Sequence, residues 1–251
     1  MKKIIIANWK SNPDTVNEAI TLATHAEQAA RSVRNVEVVI AAPFPFLVPL
    51  VRALKRVRLA AQDTFWAGGP YTGEVSWRQL KNLGIAYSVV GHSSRRIYAG
   101  ETNAMINKKV TALLEHGMTA ILCVGESERE GNEVPAVVGE QLTAALAGVK
   151  KTLVKNLIVT YEPVWAISTQ PDAHPDTPDN AFRALVYIRK VLSDLYGRKI
   201  ADSVLIIYGG SVNPGNVKGF LTEGNMAGAL VGGASLKPHE FEEIIRIAAR
   251  S

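Results

Sequence analysis

Eight short apolar runs, each followed by a loop and then by a stretch with helical spacing, restrict the fold of this chain more than any other feature. They lie at 3–7, 36–41, 57–61, 87–91, 119–124, 156–161, 203–208 and 227–231. β-branched residues are common in them, and strict apolar–polar alternation is largely missing. A strand with one wet face alternates; a strand apolar throughout is covered on both faces, as in parallel sheets flanked by helices. The intervening stretches carry their own marks. Residues 15–31 set Val16, Ala19, Ile20, Ala23, Ala26 and Ala30 on one helical face. Ser76-Trp77-Arg78-Gln79 has the form of a capping box, with Gly84 placed to end that helix. Residues 102–116 stop at Gly117. Thr177-Pro178 is an N-cap followed by proline at the first helical position. The stripe Ala181, Ala184, Leu185, Ile188, Val191, Leu192, Leu195 runs from there to Gly197. Asn213-Pro214 is expected to open another short helix, and Phe241, Ile244, Ile245 and Ala248 mark the last.

Strand followed by helix builds βαβ units with right-handed crossovers. Eight such units in 251 residues suit an α/β fold, a closed (β/α)8 barrel expected to take residues 1–251 as a single domain. The competing architecture is a doubly wound open sheet. Its Gly-x-Gly-x-x-Gly fingerprint is missing after the first run, where Asn8-Trp9-Lys10 stands.

Composition narrows the function. No apolar run approaches the ~20 residues of a membrane helix, and the apolar start of the chain is too short for a signal peptide. The one cysteine, Cys123, rules out an internal disulfide, and a reducing cytoplasmic setting is expected. The formal net charge is +5, but lysines and arginines are scattered. The expectation is no nucleic acid and no membrane partner, and an anionic small substrate instead.

In such a barrel the C-terminal ends of the strands converge on one face. The first offers Asn8 and Lys10, the fourth His92, the sixth Glu162. The seventh offers Gly209-Gly210-Ser211, and the eighth Gly232-Gly233-Ala234-Ser235. Each has an ordinary explanation taken alone: a solvated lysine, a capping or core histidine, a surface acid, two plain turns. Taken together they are a cation, an imidazole, a carboxylate and two glycine-rich anion sites. Glycines let backbone N–H groups approach a phosphate. A carboxylate above it can remove a proton from carbon beside a carbonyl, and an imidazole and an ammonium can stabilise the enediolate. No cluster has metal-ligand spacing, so no metal and no cofactor is expected. Cys123 sits inside an apolar run without an adjacent base, which suits core packing.

In chain order the motifs are Asn8-Trp9-Lys10, Ala61-Gln62-Asp63, Tyr71-Thr72-Gly73-Glu74, Gly91-His92-Ser93, Arg95-Arg96, Gly100-Glu101-Thr102, Cys123-Val124-Gly125-Glu126, Tyr161-Glu162-Pro163-Val164-Trp165-Ala166-Ile167, Tyr208-Gly209-Gly210-Ser211-Val212, and Gly228 through Leu236. Across its whole length the chain resembles the triosephosphate isomerase family. The resemblance implies a TIM barrel that interconverts dihydroxyacetone phosphate and D-glyceraldehyde 3-phosphate in glycolysis and gluconeogenesis. It implies Glu162 as base, His92 as neutral electrophile, Lys10 as the positive charge, and Asn8 orienting substrate and Lys10. Ser168, Ser211, Gly232 and Gly233 would hold the phosphate, and Glu101 would support the site from behind. The loop Tyr71-Thr72-Gly73-Glu74-Val75-Ser76 would enter a second subunit, giving a homodimer.

The chain departs from the family pattern in places. Ser94, also counted among the supporting residues, stands where the family carries an acid. The lid reads Ile167-Ser168-Thr169-Gln170 where the family reads Ile-Gly-Thr-Gly, and Pro171, Pro175 and Pro178 follow. Proline narrows its neighbours' backbone, so a stiffer or displaced hinge is expected through residue 177. Ala227 replaces another acid. The altered lid motivates a rival reading, an isomerase of another small phosphosugar such as a tetrulose phosphate. Ser94 motivates a second, a slow phosphate-binding or assembly protein.

Overall fold

The computed structural model describes residues 2–168 and 172–251. Among them, eight parallel strands close into a barrel in sequence order: β1 (Lys3–Asn8), β2 (Val36–Ala42), β3 (Arg58–Ala61), β4 (Tyr87–Val90), β5 (Thr119–Val124), β6 (Leu157–Tyr161), β7 (Leu205–Tyr208) and β8 (Gly228–Val231). Closure is made by β8 on β1, with Ile4 opposite Gly228 and Ala7 opposite Val231. The helices are α1 (Val16–Ser32), α2 (Phe44–Ala53), α3 (Trp77–Asn82), α4 (Ser93–Tyr98), α5 (Asn103–Glu115), α6 (Ala136–Ala145), α7 (Pro178–Tyr196), α8 (Arg198–Ser203), α9 (Val217–Thr222) and α10 (Pro238–Arg250).

Side chains on a strand alternate between faces, and here the alternation sorts the apolar residues into two cores. Ile4, Ile6, Val39, Ala41, Val89, Ile121, Cys123, Ile158 and Ile207 fill one cluster. Their neighbours Ile5, Ala7, Val38, Ile40, Val90, Leu122, Val159 and Ile206 join helix residues such as Ala19, Leu113, Leu142, Ile188 and Ile244 in the other. This is why the runs looked apolar throughout: one set of side chains fills the barrel, the other packs beneath the helices. Cys123 is fully buried in the first set.

The capping signals at Ser76 and Thr177 are realised: Ser76 and Gln79 form a reciprocal box at α3, and the Thr177 side chain accepts the Asn180 N–H at α7. A further box, Thr15 with Glu18, opens α1, where the sequence reading places Thr15 within the helix. Glu27 on α1 accepts backbone N–H groups of Lys55, Arg56 and Val57, tying that helix to the entry of β3. Some elements differ from the sequence reading. Helix α2 contains Pro45 and Pro49, which mask its pattern; Pro45 sits in the first turn, where no N–H is needed. Helix α8 takes Ser203, read from sequence as strand, because Arg189 caps it through the Ala201 and Val204 carbonyls. Helix α9 starts at Val217, not at Pro214. The Asn213 side chain captures the N–H groups of Gly215 and Asn216 at 2.8 and 3.2 Å, folding that stretch into a turn.

Candidate active site

At the end of β1, the Asn8 side chain accepts the Lys10 N–H at 3.1 Å. Lys10 has a left-handed backbone, φ 53°, which costs a non-glycine residue about 1–3 kcal/mol and persists only where its surroundings enforce it. Gln62 helps enforce it, donating from Nε2 to the carbonyls of Lys10 and Ala41, both at 2.8 Å. Burial pushes the Lys10 ammonium pKa down, and the nearby Glu162 pulls the other way.

Glu162 follows β6 directly. Its N–H donates to the Val124 carbonyl at 2.8 Å, and its side chain is buried. One carboxylate oxygen, Oε2, accepts the Ser93 N–H at 2.9 Å. The other, Oε1, accepts the Ser93 hydroxyl at 3.0 Å and lies 2.9 Å from His92 Nε2. Burial alone raises the Glu162 pKa, but the His92 imidazole and the two Ser93 donors outweigh it and hold the carboxyl below the ordinary glutamate range. The group is therefore an ionised base at neutral pH.

His92 is the N-cap of α4. Its Nδ1 accepts the Ser94 N–H at 3.2 Å and lies 2.8 Å from the Ser94 hydroxyl. A nitrogen that accepts carries no proton, so in the neutral ring the proton is on Nε2, facing Glu162. The capping histidine and the functional histidine are the same residue.

The opposite wall is backbone-rich. The Ser168 N–H donates to Ser211 Oγ at 2.8 Å, and the Ser211 N–H to the Ala166 carbonyl at 3.2 Å. Gly232 caps a tight helical turn, Gly233–Leu236, and the first N–H groups of such a turn have no partner within it. A cavity of about 350 Å³ is bounded by Asn8, Lys10, His92, Glu162, Ser168, Ser211, Gly232 and Gly233. Ser94 and Glu101 do not border it. Ser94 reaches it through His92. Glu101 lies in a buried cluster with Arg95, Lys109 and Asp63.

Thr169, Gln170 and Pro171, on which the altered-lid reading turns, lie outside the described residues. Beyond them, the His174 ring stacks on Trp165 with centroids 4.7 Å apart, and the Tyr208 hydroxyl donates to Asp176 at 3.1 Å. The Trp165 indole N–H and the Tyr161 hydroxyl both donate to Glu126, at 3.0 and 2.7 Å. Ser93 and Gln62 carry this geometry, yet sequence reasoning gave neither a role. Each lies inside a motif quoted above, Ser93 directly beside His92. Among the described residues, no group of three or more His, Cys, Asp or Glu side chains is placed to hold a metal, and no helix is long and apolar enough to cross a membrane.

The sequence profile described as "Triosephosphate isomerase" matches residues 3–248. Curated relatives include the triosephosphate isomerases of Citrifermentans bemidjiense, 44% identical with 98% of each chain covered, and Carboxydothermus hydrogenoformans, 43% identical with 98% of each covered. That of Geotalea uraniireducens is 42% identical, covering 98% of this chain and 99% of its own.

Proposed function

The chain belongs to the triosephosphate isomerase family, and from that premise we propose that Glu162, His92, Lys10 and Asn8 carry its isomerisation. The enzyme interconverts dihydroxyacetone phosphate and D-glyceraldehyde 3-phosphate, a step of glycolysis and gluconeogenesis; the full-length match does not favour the rival readings. The observation that carries our assignment is the Glu162–His92 contact of 2.9 Å within a cavity that Lys10 also borders. Glu162 takes the proton from one substrate carbon and returns it to the next. The Nε2–H of His92 and the Lys10 ammonium stabilise the enediolate oxygens. Both Glu162 oxygens are engaged by Ser93 and His92. Productive binding therefore exchanges those donors for the substrate carbon and frees the His92 Nε2–H for the substrate oxygen. Ser168, Ser211, Gly232 and Gly233 hold the phosphate, with Lys10 beside it. Glu101 and Ser94 act from behind, Ser94 through the imidazole. The test is a coupled assay on glyceraldehyde 3-phosphate beside erythrulose phosphates. Turnover confined to the triose supports the reading; equal turnover of the four-carbon sugars sinks it.

The pH profile probes the base directly. The acid limb of kcat/KM reports groups of the free enzyme and of the free substrate, and within it the Glu162 component lies below the ordinary glutamate pKa. Ser93→Ala removes one of the donors that lower the Glu162 pKa, and the limb moves up. A limb that stays put means the hydroxyl does not hold the base.

We also place the enzyme in the cytoplasm as a homodimer through loop 71–76. Tyr71 in that loop is 44% exposed, a large surface for a ring that touches only Phe65 among the aromatic residues described. Light scattering should return twice the chain mass; a clean monomer overturns the assignment.

A further inference from the structure

We propose that Gln141 is a positioning residue for the reaction, setting the place of the Glu162 backbone through Gly125. Gln141 lies on α6 and does not border the cavity. Its amide closes a pair with a single residue's backbone. The Gly125 N–H donates to Oε1 at 2.9 Å, and Nε2 donates to the Gly125 carbonyl at 2.9 Å. Two such bonds fix both the position and the tilt of that backbone.

Gly125 in turn is pressed on Glu162. A methyl group built on Gly125 would stand 1.7 Å from the Glu162 carbonyl oxygen and 2.5 Å from its carbonyl carbon. Only glycine leaves room for this approach. Hydrogen bonds fasten the two segments on either side of the contact: Glu162 N–H to the Val124 carbonyl at 2.8 Å, and Val164 N–H to the Glu126 carbonyl at 2.9 Å. Residues 124–126 are thus the shelf on which the backbone of the base rests. Among the described residues, every hydrogen bond to the backbone of Gly125 comes from Gln141. Gln141 touches neither substrate nor carboxylate; it acts on where the carboxylate starts from. The inference rests on Glu162 as the base.

Gln141→Leu keeps an apolar stem and loses both bonds. Its kcat falls roughly ten- to a hundredfold, the range for a misplacement of about 1 Å. KM and inhibition by inorganic phosphate stay near wild type, because the phosphate end is built elsewhere. Gln141→Glu separates positioning from a general loosening of α6. The ionised carboxylate still accepts the Gly125 N–H but turns a bare oxygen on the Gly125 carbonyl. Protonated, it carries an O–H there and restores the pair. Its kcat relative to wild type therefore rises as the pH falls. In a Glu162→Gln background, Gln141→Leu adds almost nothing, since no base is left to misplace. An unchanged kcat in Gln141→Leu, a rise in KM as large as the fall in kcat, a flat pH ratio in Gln141→Glu, or a fully additive double variant each overturns the proposal. Full activity in Glu162→Gln alone would instead remove the base on which it rests.

Discussion

Glu162→Gln turns over glyceraldehyde 3-phosphate roughly 10²- to 10⁴-fold more slowly than wild type, the contribution typical of a positioned general base. The loss falls on kcat. The amide has nearly the shape of the carboxylate and no basic oxygen, so the cavity keeps its outline while proton abstraction loses its acceptor. In wild type both oxygens accept hydrogen bonds, from Ser93 N–H, Ser93 hydroxyl and His92. The glutamine oxygen takes the place of Oε2 and keeps the Ser93 N–H. Its NH₂ then faces the Ser93 hydroxyl, which can turn to accept, and the His92 Nε2–H, which cannot. The fold survives, because removing a buried charge also removes its desolvation cost. Inorganic phosphate inhibits as before. The coupled assay with thermal unfolding as control decides the matter; a variant as fast as wild type means that the proton leaves by another route.

Lys109→Met loses about 3–5 kcal/mol of stability, the usual consequence of taking one partner from a buried ion group. Lys109 is 2% exposed. Its ammonium contacts Asp63 Oδ1 at 2.6 Å and, more closely still, Glu101 Oε1. Arg95 spans the same two acids, at 3.0 Å to Asp63 and 2.7 Å to Glu101. Burial pushes the Asp63 pKa up, with Lys109 resisting and Glu101 adding to the rise. Burial also pushes Glu101 up, but its bonds to Arg95 and Lys109 outweigh this and hold it low. Without the ammonium, both carboxyls are left facing each other with Arg95 alone: the folded-state pKa of Asp63, already raised, climbs further, and that of Glu101 climbs from below its ordinary value. A group with a raised folded pKa contributes stability below its unfolded pKa and loses it as the pH rises through the folded one. The deficit of Lys109→Met is therefore full at neutral pH and shrinks on acidification. Urea midpoints of both proteins at neutral and acidic pH measure it. A deficit that stays constant or grows on acidification would show that lost packing, not stranded charge, is the cause.

The barrel was legible because its units repeat: eight apolar runs could be counted, and most helix ends carried a cap. Boundaries moved where one side chain outcompeted the pattern, as Asn213 did at the start of α9 and Arg189 at α8. Helix α2 was hidden by prolines that its first turn and its packing accommodate. In the site, residues at strand ends were legible because the topology dictates where those ends go. Their partners were not. Ser93 bonds Glu162 across 69 positions and Gln62 bonds Lys10 across 52, and no periodicity encodes a contact between residues that follow different strands. Gln141 was further out of reach, since it meets the site only through one residue's backbone.

His92 begins a helix and faces the base, and this joins two processes usually treated apart. The amide hydrogen of Ser94 keeps Nδ1 bare and so keeps the ring proton on Nε2. That amide belongs to the first turn of α4, a helix of six residues, and first turns fray. When this one opens, the Glu162 carboxylate, 2.9 Å from Nε2, is left to hold the ring proton there without the help of Ser94, and the tautomer that points the proton away from Glu162 gains population. The fraction of molecules ready to react is thus tied to a local opening equilibrium at a helix end. The hydrogen-exchange rate of a single peptide, that of Ser94, reads the readiness of the imidazole.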